Sequence, residues 1–207
     1  MRRFLLTCTA VLFSLLPVAV AIADDWPQWL GPQRDGVWRE TGIVERLPEK
    51  GLAPKWRTPI GAGYSGPAVV GDRVFVTDRV TTDAKDPSSP FERGAVPSSE
   101  RVLCLDEATG KVVWEHKYPC IYTVSYPAGP RCTPTVHDGK VYSLGSEGHL
   151  FCLSASDGKV IWSRELKKDF SIRSTPVWGF ASHPLVDGNK LICFVGCAET
   201  AVVAFDL

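Results

Sequence analysis

The chain has 207 residues, with 23 basic and 23 acidic side chains, 44% hydrophobic and 22% charged residues. This composition excludes wholesale disorder, and zero formal net charge gives no electrostatic basis for binding nucleic acid or an anionic membrane surface. The 18 glycines and 16 prolines, against one methionine, suit short strands and turns better than a helical bundle.

The first segment in chain order is a targeting signal. Arg2 and Arg3 precede an apolar stretch from Phe4 to Ala23, and Ala21-Ile22-Ala23 is followed by Asp24-Asp25. A charged start, an apolar middle and small residues at the cut predict a secretory signal peptide over 1–23, cleaved after Ala23. The rival is an uncleaved anchor, since the stretch is long enough to span a bilayer. The expected product is exported to the periplasm, the cell envelope or the medium, with no stable membrane insertion after cleavage. Residues 24–50 form an N-terminal arm. Trp26, Trp29 and Trp38 are expected to pack onto the body of the protein, the alternative being a sugar-stacking surface.

An internal repeat organises residues 51–207. Trp56 reads as part of an isolated outer strand. Segments 66–75, 133–142 and 183–192 then align without gaps. In each, a proline (Pro67, Pro134, Pro184) is followed two residues later by Val and seven residues later by Val or Leu, with a Gly- and Asp-containing turn between them. Two short β-branched runs joined by such a turn make a β-hairpin. A second hairpin repeats with an offset of 48 between 102–114 and 150–162, and starts again at 202. Its signature is Asp106, Gly110 and Trp114 in one copy and Gly158 and Trp162 in the next. Asp opens the turn by accepting backbone N–H bonds, and Gly takes the positive φ that closes it.

Four strands at a period of about 50 residues are the signature of a propeller blade. The expected fold is all-β, a β-propeller of four-stranded antiparallel blades. It comprises an outer strand around Trp56, a blade over 60–116, a blade over 126–166 and an incomplete blade over 174–207. Closed propellers have about 4–8 blades, so the chain is expected to be a fragment of roughly half a ring; an open stack or assembly from several chains are the alternatives. Residues 78–100, rich in Asp, Ser and Pro, are expected to be a surface loop inserted in the first blade.

Six cysteines follow the signal segment. No C-x-x-C pair occurs, and extended backbone would hold Cys193 and Cys197 too far apart to bond. No metal site is expected, because no second cluster at ligand spacing accompanies them. Cys120 and Cys132, on an inter-strand connection, are the candidate disulfide. Cys104 and Cys152 hold equivalent repeat positions and read as small buried strand residues.

The turn-and-tryptophan units 106–114 and 156–162 resemble the tryptophan-docking repeats of the pyrroloquinoline-quinone (PQQ)-like β-propellers. The opening of the arm, Asp25-Trp26-Pro27-Gln28-Trp29-Leu30-Gly31-Pro32-Gln33-Arg34-Asp35-Gly36, and the runs 126–131 and 178–188 are similar to exported, planctomycete-type members. The resemblance implies an eight-bladed ring at full length, in which each blade's tryptophan packs on its neighbour. The family includes quinoprotein dehydrogenases holding PQQ and calcium, an outer-membrane assembly scaffold and envelope proteins without a cofactor. The adjacent cysteines of the dehydrogenases have no counterpart in this sequence, and no stretch matches their calcium ligands.

Residues just before each repeat proline enter the innermost strand from one face of the ring. They are Tyr64, Ser65 and Gly66; Arg131, Cys132 and Thr133; and Ala181, Ser182 and His183. A ligand on the propeller axis would meet them. Arg131 offers a bidentate fork for a carboxylate or phosphate and His183 a base or ligand, against structural roles for both. His116, His137 and His149 are expected to face solvent. No nucleophile triad or carboxylate pair stands out, and Gly61-Ala62-Gly63 precedes a strand, so it is no dinucleotide fingerprint.

Three functions follow. The favoured one is an exported, non-catalytic scaffold without cofactor or metal, binding envelope proteins or a small ligand on the propeller face. The second is a PQQ-dependent oxidoreductase, using calcium, whose catalytic residues lie in a missing C-terminal half. The third is an extracellular polysaccharide-binding module using the arm tryptophans and the 78–100 insertion.

Overall fold

A computed structural model of the chain describes residues 24–42, 44–81, 89–196 and 200–207. The expected signal segment with its cut after Ala23, and Cys197, lie outside them.

The fold is all-β and built from antiparallel meanders, as the repeats imply. The first sheet contains β1 (Ala68–Val70), β2 (Arg73–Thr81), β3 (Val96–Asp106) and β4 (Val112–Tyr122), in that order. The second contains β5 (Thr135–His137), β6 (Lys140–Leu144), β7 (His149–Ser154) and β8 (Val160–Glu165), followed by the one-turn helix α1 (Leu166–Asp169). The third contains β9 (Leu185–Asp187), β10 (Lys190–Phe194) and β11 (Val202–Asp206). The innermost strands stand side by side, β1 against β5 and β5 against β9, which is the radial stacking of propeller blades.

Local chemistry explains the strand ends. Asp138 and Gly139 both have positive φ (47° and 68°), the two-residue turn whose twist matches its strands. At the β3–β4 turn the Asp106 carboxylate accepts the N–H (2.9 Å) and hydroxyl (2.6 Å) of Thr109, and Gly110 donates to the Asp106 carbonyl at 2.8 Å. Gly158 closes the β7–β8 turn in the same way on Ser154. Both blades carry a register shift at the same repeat position, Cys104/Leu105 and Cys152/Leu153.

The tryptophans link neighbouring blades. The Trp56 indole N–H donates to Glu107 O at 2.7 Å, and that of Trp114 to the equivalent Ala155 O at 2.9 Å. Each ring lies over the neighbour's turn glycine. A Cβ on Gly158 would stand 2.6 Å from the Trp114 ring, so glycine is needed there for close approach as well as for its φ of 71°. Trp162 sits 6.2 Å from the Phe205 ring of the third sheet.

Three expectations need correction. No strand forms around Trp56, since residues 51–60 lie in none, and its indole docks on the first sheet from a connecting segment. The insertion at 78–100 is shorter than its polar composition suggests, because β2 and β3 pair through Asp78↔Arg101 to Thr81↔Ser98. Residues 82–88 of this segment lie outside the described residues; of the described ones, the buried Asp78 pairs with Arg101, and the buried Arg79 with Ser98 and Pro127 O. Cys120 and Cys132 are both free thiols. Cys120 packs with Val96, Tyr118, Tyr122 and Val124, whereas Cys132 belongs to the cluster of Tyr142, Leu144 and Phe180. The two thiols therefore sit in separate clusters. Cys104 and Cys152 are fully buried, each facing the tryptophan strand of its own blade.

The N-terminal arm crosses all three inner strands at one repeat position. Trp26 exchanges backbone bonds with Val69 (2.8 and 2.9 Å), Pro27 O accepts from Val136 N (2.8 Å), and an Arg34 Nη donates to Val186 O (2.8 Å). Val69, Val136 and Val186 each stand two residues after a repeat proline. The arm thus covers backbone groups that three edge strands would otherwise expose.

Candidate functional site

Tyr64, Arg131 and Ala181 each precede a repeat proline by three residues. These three positions line one cavity of about 370 Å³, together with Tyr126 and Trp178. The cavity opens where the innermost strands begin, on the axial face. A larger groove of about 660 Å³ lies at the opposite ends of the strands, among hairpin-turn residues such as Asp72, Asp138 and Ser156. There Arg73 is ion-paired with Asp72 and Asp106, so turn and ion-pair chemistry account for its polar groups.

The connection from β4 to β5 shapes the axial cavity. Tyr126 is held at φ 52°, a region bulky residues avoid, and such backbone persists only where its surroundings impose it. Its N–H donates to Pro90 O at 2.7 Å, and the neighbouring Ser125 N–H donates to Val177 O at 2.9 Å. The Tyr126 ring meets Phe91 edge-on at 5.3 Å and Trp178 at 5.4 Å. Phe91, Trp178 and Tyr64 are more than half exposed, so the rim presents aromatic faces to solvent.

Arg131 lies beneath this rim, its guanidinium 5.2 Å from the Tyr64 ring centre. One terminal nitrogen donates to Gly129 O and Ser146 Oγ, the other to Ser125 O (2.9 Å) and Tyr126 O (2.7 Å). These bonds occupy the fork that would grip an anion bidentately. Burial lowers the pKa of Arg131 from its usual value. The side chain braces the loop and gives the cavity floor a positive field, and it makes no ion pair among the described residues.

His183 is not part of the cavity. Its Nδ1 accepts the Thr133 N–H at 2.8 Å, and its ring stacks on Trp29 at 4.4 Å with a 2° interplanar angle. Burial lowers its pKa, which keeps the imidazole neutral and the Nδ1 lone pair engaged. It joins the arm to the second blade. Trp29 is partly covered by this stack, whereas Trp38 is 59% exposed.

The other histidines also depart from expectation in part. His137 is exposed. His116 is half-buried against Phe151 and Tyr118 with its Nε2 unpartnered, and burial lowers its pKa. His149 is half-buried, with its ring 5.3 Å from that of Tyr118.

Beside the aromatic cavity lies a basic cleft of about 470 Å³ lined by Arg93, Lys167 and Arg173 with Thr123 and Thr175. Lys167 is ion-paired to the buried Glu147 at 2.6 Å, and Arg93 donates to Thr123 O and Thr175 O.

Residues 98–207 match the family described as outer membrane protein assembly factor BamB, whose model is named PQQ_2. The chain belongs to this family of PQQ-repeat propellers. Over 134 residues it is 27% identical to quinohemoprotein alcohol dehydrogenase ADH-IIG of Pseudomonas putida, a match covering 63% of this chain and 18% of that protein. Among solved structures it is similar to BamB from Moraxella catarrhalis, with a TM-score of 0.46, 17% identity, and 77% and 42% of the two chains covered. It is also similar to a europium-containing methanol dehydrogenase, with a TM-score of 0.43, 19% identity, and 73% and 24% covered. The chain thus spans less than half the length of each of these proteins. Among the described residues, no helix is long and apolar enough to cross a membrane.

Whether this face suits a quinone held by calcium is decided by its donors. Calcium takes about 6–8 oxygen ligands, mostly carboxylate and carbonyl. The cavity offers two phenols, an indole, a methyl group and a guanidinium committed to carbonyl oxygens, and no two cysteines are adjacent in the sequence. The residues lining this cavity do not fit that cofactor set.

Proposed function

We propose that the protein is an exported, non-catalytic binding or assembly scaffold of the cell envelope, and that its axial aromatic cavity is the docking point. The observation carrying this reading is the cavity's composition. Tyr64, Tyr126 and Trp178 supply rigid apolar surface, while Arg131 spends its fork inside the protein. Such a site buries apolar or aromatic groups of a partner, and its phenol and indole groups can donate hydrogen bonds to that partner. Membership of a family described as an assembly factor supports the scaffold. Export rests on the charged, apolar and small-residue pattern of 1–23.

The test is site-specific photocrosslinking from position 64 or 178 in the source cells. One or a few discrete envelope proteins should be captured from these positions and not from the distant, exposed Lys111. PQQ-dependent reduction of an electron-acceptor dye by the purified full-length protein would overturn the reading in favour of an oxidoreductase. The relative from Pseudomonas putida motivates that second arm.

A further inference from the structure

We propose that Glu100, Cys120 and His149 form a binding site for a divalent transition-metal ion of zinc type, bridging the first and second blades. One donor atom from each residue lies within 4.8 Å of the other two. Glu100 stands on β3 and Cys120 on β4 of one blade, and His149 on β7 of the next. The sequence spacing hides this set, because no two of its members are close along the chain.

The hydrogen bonds leave room for an ion. Glu100 is fully buried. Its Oε1 accepts from the Tyr122 hydroxyl and from Ser146 N–H at 3.0 Å, whereas Oε2 accepts, among the described residues, only the Tyr118 hydroxyl. A carboxylate oxygen has two lone pairs, so Oε2 keeps one. Cys120 Sγ and His149 Nδ1 face each other at 3.9 Å, and neither has another hydrogen-bond partner among the described residues. No described basic side chain forms an ion pair with Glu100. Arg131 bonds to carbonyl oxygens and Ser146 Oγ, and Arg79 lies over the Tyr122 ring while bonding to Ser98 and Pro127. A buried carboxylate without a paired cation is costly.

A divalent ion supplies the missing charge. It binds Cys120 as thiolate, releasing the thiol proton to solvent, and His149 through Nδ1 with the proton on Nε2. Two positive charges then meet one thiolate and one carboxylate, so the buried site becomes neutral. Mixed sulfur, nitrogen and oxygen ligands match zinc, whose bonds run about 2.0–2.3 Å in a tetrahedron. Donors in such a tetrahedron are about 3.3–3.7 Å apart, so the three atoms need to close by about an ångström. Half-buried His149 lies on the solvent side, and water completes the fourth position. Because the thiol must give up its proton to bind the ion, uptake expels a proton and tightens as pH rises.

Cobalt(II) titration of the intact, metal-stripped protein tests the site without relying on the scaffold function. The expected result is a one-to-one complex with a near-ultraviolet thiolate-to-cobalt band, which zinc abolishes by displacement. Cys120→Ser should remove the band and Cys104→Ser should retain it. His149→Gln should weaken binding by more than the roughly 10–100-fold that loss of an outer-shell partner costs. Absence of the band in the wild-type protein, or its survival in Cys120→Ser, would overturn the proposal. If Cys120→Ser does not fold, the zinc-induced rise in Tm decides. A rise in the wild type that His149→Gln abolishes supports the site, and an equal rise in both, or none in the wild type, refutes it.

Discussion

The two junctions between blades are built on different chemistry. The second is one continuous apolar cluster, in which Tyr142, Leu144, Leu150 and Leu166 meet Phe180, Leu191 and Cys193. The first is divided. Near the turns it is apolar, with Phe75, Val102 and Trp114 against Val141 and Leu153. Toward the axial face it becomes a polar network, in which Glu100 joins Tyr118 and Tyr122 of its own blade to Ser146 of the next. An apolar cluster mainly constrains volume, whereas hydrogen bonds in a low-dielectric interior also constrain direction. The first junction therefore constrains the direction in which the second blade docks, and the second junction constrains chiefly how the facing side chains fill space.

Truncating the tryptophans tests this division most severely. Trp114 is 8% exposed and loses its bond to Ala155 O when removed, so Trp114→Ala is expected to cost about 3–5 kcal/mol. Trp162, only partly buried, should cost clearly less on the same change. Urea unfolding of both variants measures the difference. Equal losses would mean that docking over Gly158 adds nothing to burial.

Next in size is a volume-conserving comparison. Glu100→Gln keeps the shape but replaces an acceptor oxygen by a donor amide among two phenols and a backbone N–H. A loss of about 1–3 kcal/mol is expected from a buried group left unsatisfied. Leu144→Met at the second junction should cost less than about 1.5 kcal/mol. The proposed division fails if Glu100→Gln is the milder of the two.

Acid provides a third contrast, at the buried Glu147 carboxylate. Burial alone would raise the Glu147 carboxyl, but hydrogen bonds from Lys167, Thr175 and Thr123 N–H, with the charge of Lys167, hold it below its ordinary 4.5. A depressed folded-state pKa gives stability that is present above the unfolded value and lost as pH falls through the folded one. Stability of the native chain should therefore decline below about pH 4.5. Glu147→Gln should flatten that slope, as read from Tm against pH.

Much of the fold was legible because blade chemistry is local. The Asp106–Gly110 and Ser154–Gly158 turns and their tryptophans repeat at a fixed offset, so adjacent residues declare the strands. The proline phase likewise indicated that Tyr64, Arg131 and Ala181 share a face. What escaped sequence reading depends on contacts between blades. Asp78, Arg79 and Glu100 look like loop residues until their buried partners are seen, so composition mislabelled paired strand as insertion. Arg131 reads as an anion fork, yet Ser125, Tyr126 and Gly129 carbonyls occupy it. Glu100, Cys120 and His149 converge only once two sheets have stacked.

The smallest effect lies where the arm meets the second blade, away from both junction cores. Trp29 is 49% exposed, and its stack on His183 should contribute about 0.5–1.5 kcal/mol. Burial depresses the His183 pKa below its ordinary 6.5, so the contact is intact above that pH and is lost as pH falls through the folded value. Protonation puts a hydrogen on Nδ1, where Thr133 N–H now donates, and the arm should release locally while both junctions persist. His116 carries a depressed pKa as well, so the total tryptophan signal is not diagnostic. The difference in fluorescence between the wild type and Trp29→Phe isolates the arm. That difference should titrate below pH 6.5 and become pH-independent in His183→Asn; a titration unchanged by His183→Asn would locate the acid-sensitive contact elsewhere.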